Sequence, residues 1–80
     1  MLSKKQMMAL SSANSAYHRK GLTKTGSTWQ DMESSVPESH HHKTIMSLVD
    51  RELLKLWVNG TCAHITDMGI ARLRDYNDQM

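Results

Sequence analysis

The side chains best suited to chemistry in this chain stand together at His40-His41-His42-Lys43. Three imidazoles and an ammonium can hold a metal, relay a proton or meet an anion. Metal binding asks for more than residue type. Neighbouring residues on a helix point in different directions and do not converge on one ion. A helical pair needs i, i+4 spacing, and Thr44 and Glu38 stand where the second histidine would be. No metal site and no cofactor is therefore expected here. Cys62 and His64 form a second pairing, a thiol and a base that share one side of an extended strand. Catalysis would also need an oxyanion site and a shaped pocket, for which an 80-residue domain has little room. Gly21 and Gly26 lack the surroundings of a phosphate-binding loop. No enzymatic activity is expected. Trp29 and Trp57 sit in apolar patterns and are read as core residues, not as platforms for stacked bases.

What remains is an anion-facing surface, and the charge distribution supports it. Residues 1–24 carry Lys4, Lys5, Arg19, Lys20 and Lys24 with no acid, whereas the rest of the chain holds five basic and eight acidic residues. A basic first segment on a near-neutral domain suits phosphate contact. The bland alternative is a solvated helix face. The single cysteine, Cys62, forms no internal disulfide, which fits a reducing, cytoplasmic setting. The apolar stretch in MLSKKQMMALSS is short and broken, so no signal peptide is expected, and no run is long enough for a membrane span. Eighty residues make one domain, 1–80, with a marginal core that seven methionines help to fill. Such a chain gains from a second copy, so a homodimer is expected, with Met7, Met8, Leu10 and Tyr17 of the first helix and the last helix as its surface.

The elements that must position these groups follow from periodicity. Ser3 and Gln6 form a capping box, and Met7, Leu10, Ala13 and Tyr17 continue a helix that Gly21 ends. Leu22 is a short strand or a core anchor. Ser27-Gln30 or Thr28-Asp31 caps a short second helix with Trp29, Met32 and Val36 inside. Pro37 breaks it. A third helix from about Ser39 carries Ile45, Leu48, Val49 and Leu53 on its inner side, with Glu52 a misfit there, and His40, Lys43, Ser47 and Asp50 on the other. KLWV and CAHI are strands joined by Asn59-Gly60, the preferred pair for a type I′ turn. Thr66 caps a last helix with Ile70, Leu73 and Tyr76 inward. The expected core is Met7, Leu10, Trp29, Ile45, Leu48, Val49, Trp57, Ile65, Ile70 and Leu73.

This order resembles the winged helix-turn-helix superfamily, in particular MarR-like and other small bacterial or phage winged-helix proteins. Two stretches carry the resemblance. SLVDRELLKLWV (47–58) looks like a recognition helix running into the first wing strand. HITDMGIARLRDY (64–76) looks like the second wing strand, a Thr-Asp-x-Gly cap and the next helix. The resemblance implies a mainly α fold with a small β-hairpin, in the order α-(β)-α-α-β-β-α. It implies a sequence-specific binder of double-stranded DNA, a transcriptional regulator whose third helix enters the major groove. His40, Lys43, Thr44 and Ser47 would face the bases, with Arg51 near the backbone. Asn59 at the wing tip would reach phosphate, and Lys4, Lys5 and Lys24 would add backbone contacts. Protonation of His40 to His42 near pH 6.5 would strengthen that binding. Because winged helices also serve as docking modules, another protein is the alternative partner.

Overall fold

A computed structural model describes residues 2–16, 21–32 and 38–78, with side chains to Tyr76. Among the described residues the order is α1 (Lys4–Ser15), β1 (Leu22–Thr25), β2 (Thr28–Gln30), β3 (His40–His41), α2 (His42–Asp50), β4 (Leu54–Trp57), β5 (Cys62–Ile65) and α3 (Asp67–Asp78). The fold is α+β, three helices against one antiparallel sheet of order β3-β2-β1-β5-β4. No helix among the described residues is long and apolar enough to cross a membrane.

The expected second helix is replaced by strands. Gly26 (φ 64°) takes the first central position of the Thr25–Thr28 turn, where a type II′ hairpin needs a positive φ. The flanking residues, Thr23, Thr25, Thr28 and Trp29, favour strands. Of the three apolar positions assigned to that helix, Trp29 is buried and Met32 is 58% exposed, while Val36 and Pro37 lie outside the described residues. The mainly α reading with a single hairpin is thus corrected to a five-stranded sheet. The first helix also ends earlier than expected, at Ser15, after a Ser- and Asn-rich turn whose side chains compete for backbone hydrogen bonds. Tyr17, Arg19 and Lys20 lie outside the described residues.

Local signals elsewhere match. Ser3 caps α1, with Gln6 N–H donating to Ser3 Oγ (3.2 Å) and Ser3 N–H to Gln6 Oε1 (2.7 Å). In the β4–β5 connection Thr61 N–H donates to Val58 O across Asn59 (φ 57°) and Gly60 (φ 79°), the signs a type I′ turn requires, although β4 ends at Trp57, one residue short of the expected strand, because Val58 also takes a positive φ (54°). The end of α2 explains the misfit of Glu52. Glu52 is not helical; it takes φ 63° just beyond the C-cap Arg51. Leu53 N–H bonds Leu48 O and Glu52 N–H bonds Val49 O, the two bonds of a Schellman motif.

Thr66 fastens the next helix to that end. Its hydroxyl accepts from Gly69 N–H (3.1 Å) and donates to Glu52 O (2.7 Å), while its own N–H bonds Leu53 O. A Cβ on Gly69 would strike Leu53 O and lie 2.7 Å from Ile65 Cγ1, so only glycine lets α3 approach this closely. All three helices join one core through Leu10, Ala13, Ile45, Leu48 and Leu73, which pack with Leu22, Trp29, Leu54, Ala63 and Ile65 of the sheet. Val49 and Ile70 are only partly buried. Trp57, expected inside, is 45% exposed. The reason is strand parity: Leu54 and Leu56 face the helices, so Lys55 and Trp57 face away.

Candidate nucleic-acid interface

Strand β3 and the first turn of α2 are one continuous stretch, and this decides where the histidines point. His40 pairs with Trp29 across β2–β3 and shares its helix-side face. There it is buried, and its Nε2 lies 2.9 Å from Ser12 Oγ on α1. Burial pushes its imidazole below the ordinary 6.5, an effect that the carboxylate of Glu38 partly opposes. His40 therefore does not stand on an exposed helix face. It joins β3 to α1, and it resists the charge that was expected to strengthen anion binding at lower pH.

His41 is the N-cap of α2, its Nδ1 accepting from Lys43 N–H (3.1 Å). His42 begins the helix, and Ser27 O accepts its N–H (3.0 Å). The His42 ring stacks on Trp29 at 6.2 Å and 13°, and its Nδ1 accepts from the indole N–H at 3.1 Å. That bond places the proton of neutral His42 on Nε2. The three histidines thus have three separate tasks. Among the described residues no group of three or more His, Cys, Asp or Glu is placed to hold a metal ion.

A half-open groove of about 760 Å³ runs between α1 and the β3–α2 junction, lined by Lys5, Met8, Glu38, Ser39, His40, His41 and Thr44. It brings together three residues singled out in the sequence, Lys5, His40 and Thr44. Lys43 is exposed one position before Thr44, and Lys4 is exposed one before Lys5. Ser47 does not present a free hydroxyl: it donates to Thr44 O (2.7 Å) and accepts from Gln6 Nε2 (3.0 Å). Its expected place on a base-reading face is corrected, because packing of α1 on α2 engages it. Arg51 at the C-cap of α2 and Asn59 at the hairpin tip are exposed, and neither lines the groove. Lys24 is exposed on β1 opposite Trp29, at the helix-side margin of the sheet.

The capping role of His41 and the pairing of Ser12 with His40 and of Gln6 with Ser47 were not read from the sequence. A strand signal at 40–41 would have separated His40 from His41 by alternation. No local pattern pairs Ser12 with His40 or Gln6 with Ser47, which are 28 and 41 residues apart. Comparison with protein-family models, with curated proteins and with solved structures gave no match.

Proposed function

We propose that this chain binds double-stranded DNA as a small regulator of transcription, with the exposed side of α2 in the major groove. The observation that carries the reading is the placement of Lys43 and Thr44 on α2 beside His41, with Lys5 of α1 across the same groove. Lys4 extends this basic edge. The N-terminal turn of a helix also favours a phosphate through its dipole. The element order lends further support. Helix α2, the β4–β5 hairpin and α3 follow one another as in a winged helix, and β1 pairs with β5. On this reading the chain is a variant winged helix in which β2 and β3 occupy the place of the second helix.

The base-facing set is then Lys43 and Thr44, with His41 at the helix start. Lys4, Lys5 and Arg51 contact phosphate. Asn59 and Lys24 engage only if the duplex wraps toward the hairpin and the β1 margin. A second reading, a docking module for another protein, draws on the exposed apolar side chains Trp57, Val58, Met68 and Tyr76. The test is titration of random genomic fragments at low and at near-physiological salt. Duplex binding that weakens steeply with salt supports the proposal. Absence of binding at low salt, by a protein that circular dichroism shows to be folded, removes it.

A further inference from the structure

Among the described residues no helix lies on the face of the sheet turned away from the core, and the composition of that face points to an occupant. Directly opposite residues in antiparallel strands share a face. Leu22 pairs with Ala63 on the core side, so the neighbouring pairs Thr23–Cys62 and Thr23–Gln30 lie on the other. Across β4–β5 the same alternation puts Lys55 beside His64 and Trp57 beside Cys62 on that outer face.

Three properties of this face point the same way. First, it carries an exposed aromatic ring: Trp57 is 45% exposed, and the His64 ring meets it edge-on at 6.0 Å and 76°. Its neighbour in the register, Cys62, is only 5% exposed. Second, the five strands contain no acidic residue, and Lys55 is the lysine they place on this face, Lys24 lying on the helix side. Third, the remaining outer positions, Thr23, Thr25, Thr28, Gln30 and His41, are all polar, although Gln30 already donates to Met32 Sδ (3.1 Å) and accepts from Ser39 Oγ (3.0 Å). The exposed large apolar side chains here, Trp57 on β4 and Met32 against Thr25 and Gln30, stand two or more strands apart and form no continuous apolar patch for a protein partner. A duplex would want a convex element that enters a groove. A flat, acid-free sheet with a π-face, a lysine and hydrogen-bonding side chains suits unpaired bases, which stack on aromatic rings while their phosphates meet cations. Four inter-strand spacings of about 4.8 Å give a track of roughly 19 Å from β4 to β3.

We infer that this sheet face binds single-stranded nucleic acid, with Trp57 stacking on a base, Lys55 meeting the backbone and Thr23 contacting a base edge. This site lies on the side of the sheet opposite the helices and does not rest on the duplex reading of α2.

The test uses a labelled oligothymidylate and the matching oligouridylate of about twelve nucleotides, within the range that single-strand binders occupy. Binding is followed by anisotropy and by tryptophan emission. Because Trp29 is buried, a quench on binding reports Trp57. Wild type should bind with a quench. Trp57→Ala should weaken binding by about 5- to 150-fold, the range for loss of one stacked base contact, and Trp57→Tyr should restore most of it. Lys55→Glu should weaken it and make its loss with salt shallower, while Lys43→Ala on α2 should leave it unchanged. Equal affinity for both strands supports recognition of base and phosphate, and preference for the RNA supports an added contact to the 2′-hydroxyl. The inference is overturned if folded wild type binds neither strand at low salt. It is also overturned if folded Trp57→Ala binds as well as wild type, or if single-strand binding is lost with Lys43→Ala instead.

Discussion

Replacing Thr66 with Ala should destabilise the protein more than its half-exposed position suggests. The Thr66 hydroxyl makes two bonds, accepting from Gly69 N–H at 3.1 Å and donating to Glu52 O at 2.7 Å. The first is an N-cap. Its loss orphans a donor on buried Gly69, which is pressed against Leu53 O and Ile65, so water is poorly placed to replace the hydroxyl. That argues for the upper part of the N-cap range, about 1–2 kcal/mol. The second bond ties α3 to the carbonyl of the left-handed residue ending α2. Glu52 is exposed, so this bond contributes at the low end, about 0.5–1 kcal/mol. The sum, about 1.5–3 kcal/mol, is a large share of the stability of a small domain. It corresponds to a fall in Tm of roughly 6–24 °C. Thermal and urea unfolding followed by circular dichroism measure it. Thr66→Ser keeps the hydroxyl and should stay within about 0.5 kcal/mol of wild type. Thr66→Val keeps the shape without the hydroxyl and should resemble Thr66→Ala. A Thr66→Val protein as stable as wild type would refute the reasoning.

Glu52→Gly should raise stability by about 0.5–1 kcal/mol, because an exposed left-handed residue loses its Cβ penalty, and a lower urea midpoint would contradict this. His40 should make stability depend on pH. Its folded-state imidazole lies below the ordinary 6.5, so the unfolded chain binds the proton more readily. The stability contributed by neutral His40 is then complete above about pH 6.5 and declines as pH falls toward the folded-state value. Urea midpoints of wild type and His40→Gln near pH 7.5 and pH 5.5 should show a larger acid loss in wild type, and equal losses would remove His40 as the cause. Association should follow from exposed Met8 on α1 and exposed Met68 and Tyr76 on α3, because Met7 and Leu10 are already taken up by the core. Sedimentation at micromolar concentration should show a species of twice 9.1 kDa that Met68→Glu dissociates, and a 9.1 kDa species alone would remove the dimer.

The legible parts of the fold were those whose cause is local. Ser3 with Gln6, Asn59 with Gly60, and Thr66 with Gly69 are contacts between residues three or fewer apart, and each forms as its types and spacing require. The strands β2 and β3 were not legible. Trp29 and Met32 fit a helical spacing as well as a strand, and the choice rests on pairing with β1 and on the Trp29–His42 stack 13 residues away. Trp57 shows a signal present but outweighed. Leu54-Lys55-Leu56-Trp57 alternates plainly, yet the place of Trp57 in an apolar run suggested the core while parity placed it outside. For the candidate site, Lys5, Lys43 and Thr44 were singled out by type, and the convergence of Lys5 and Thr44 on one groove needed the packing of α1 on α2. His40 and Ser47 were misplaced because their partners, Ser12 and Gln6, lie on a distant part of the chain.

The claim that α2 is the duplex-facing element is tested most directly by the salt dependence of DNA binding in two single variants. Lys43→Ala, on exposed α2, should weaken binding to genomic duplex fragments and lower the slope of log affinity against log salt by about 1. Lys55→Ala, on the opposite face of the sheet, should leave duplex affinity and slope as in wild type. A Lys43→Ala protein with unchanged slope, or loss of duplex binding with Lys55→Ala instead, would contradict the account.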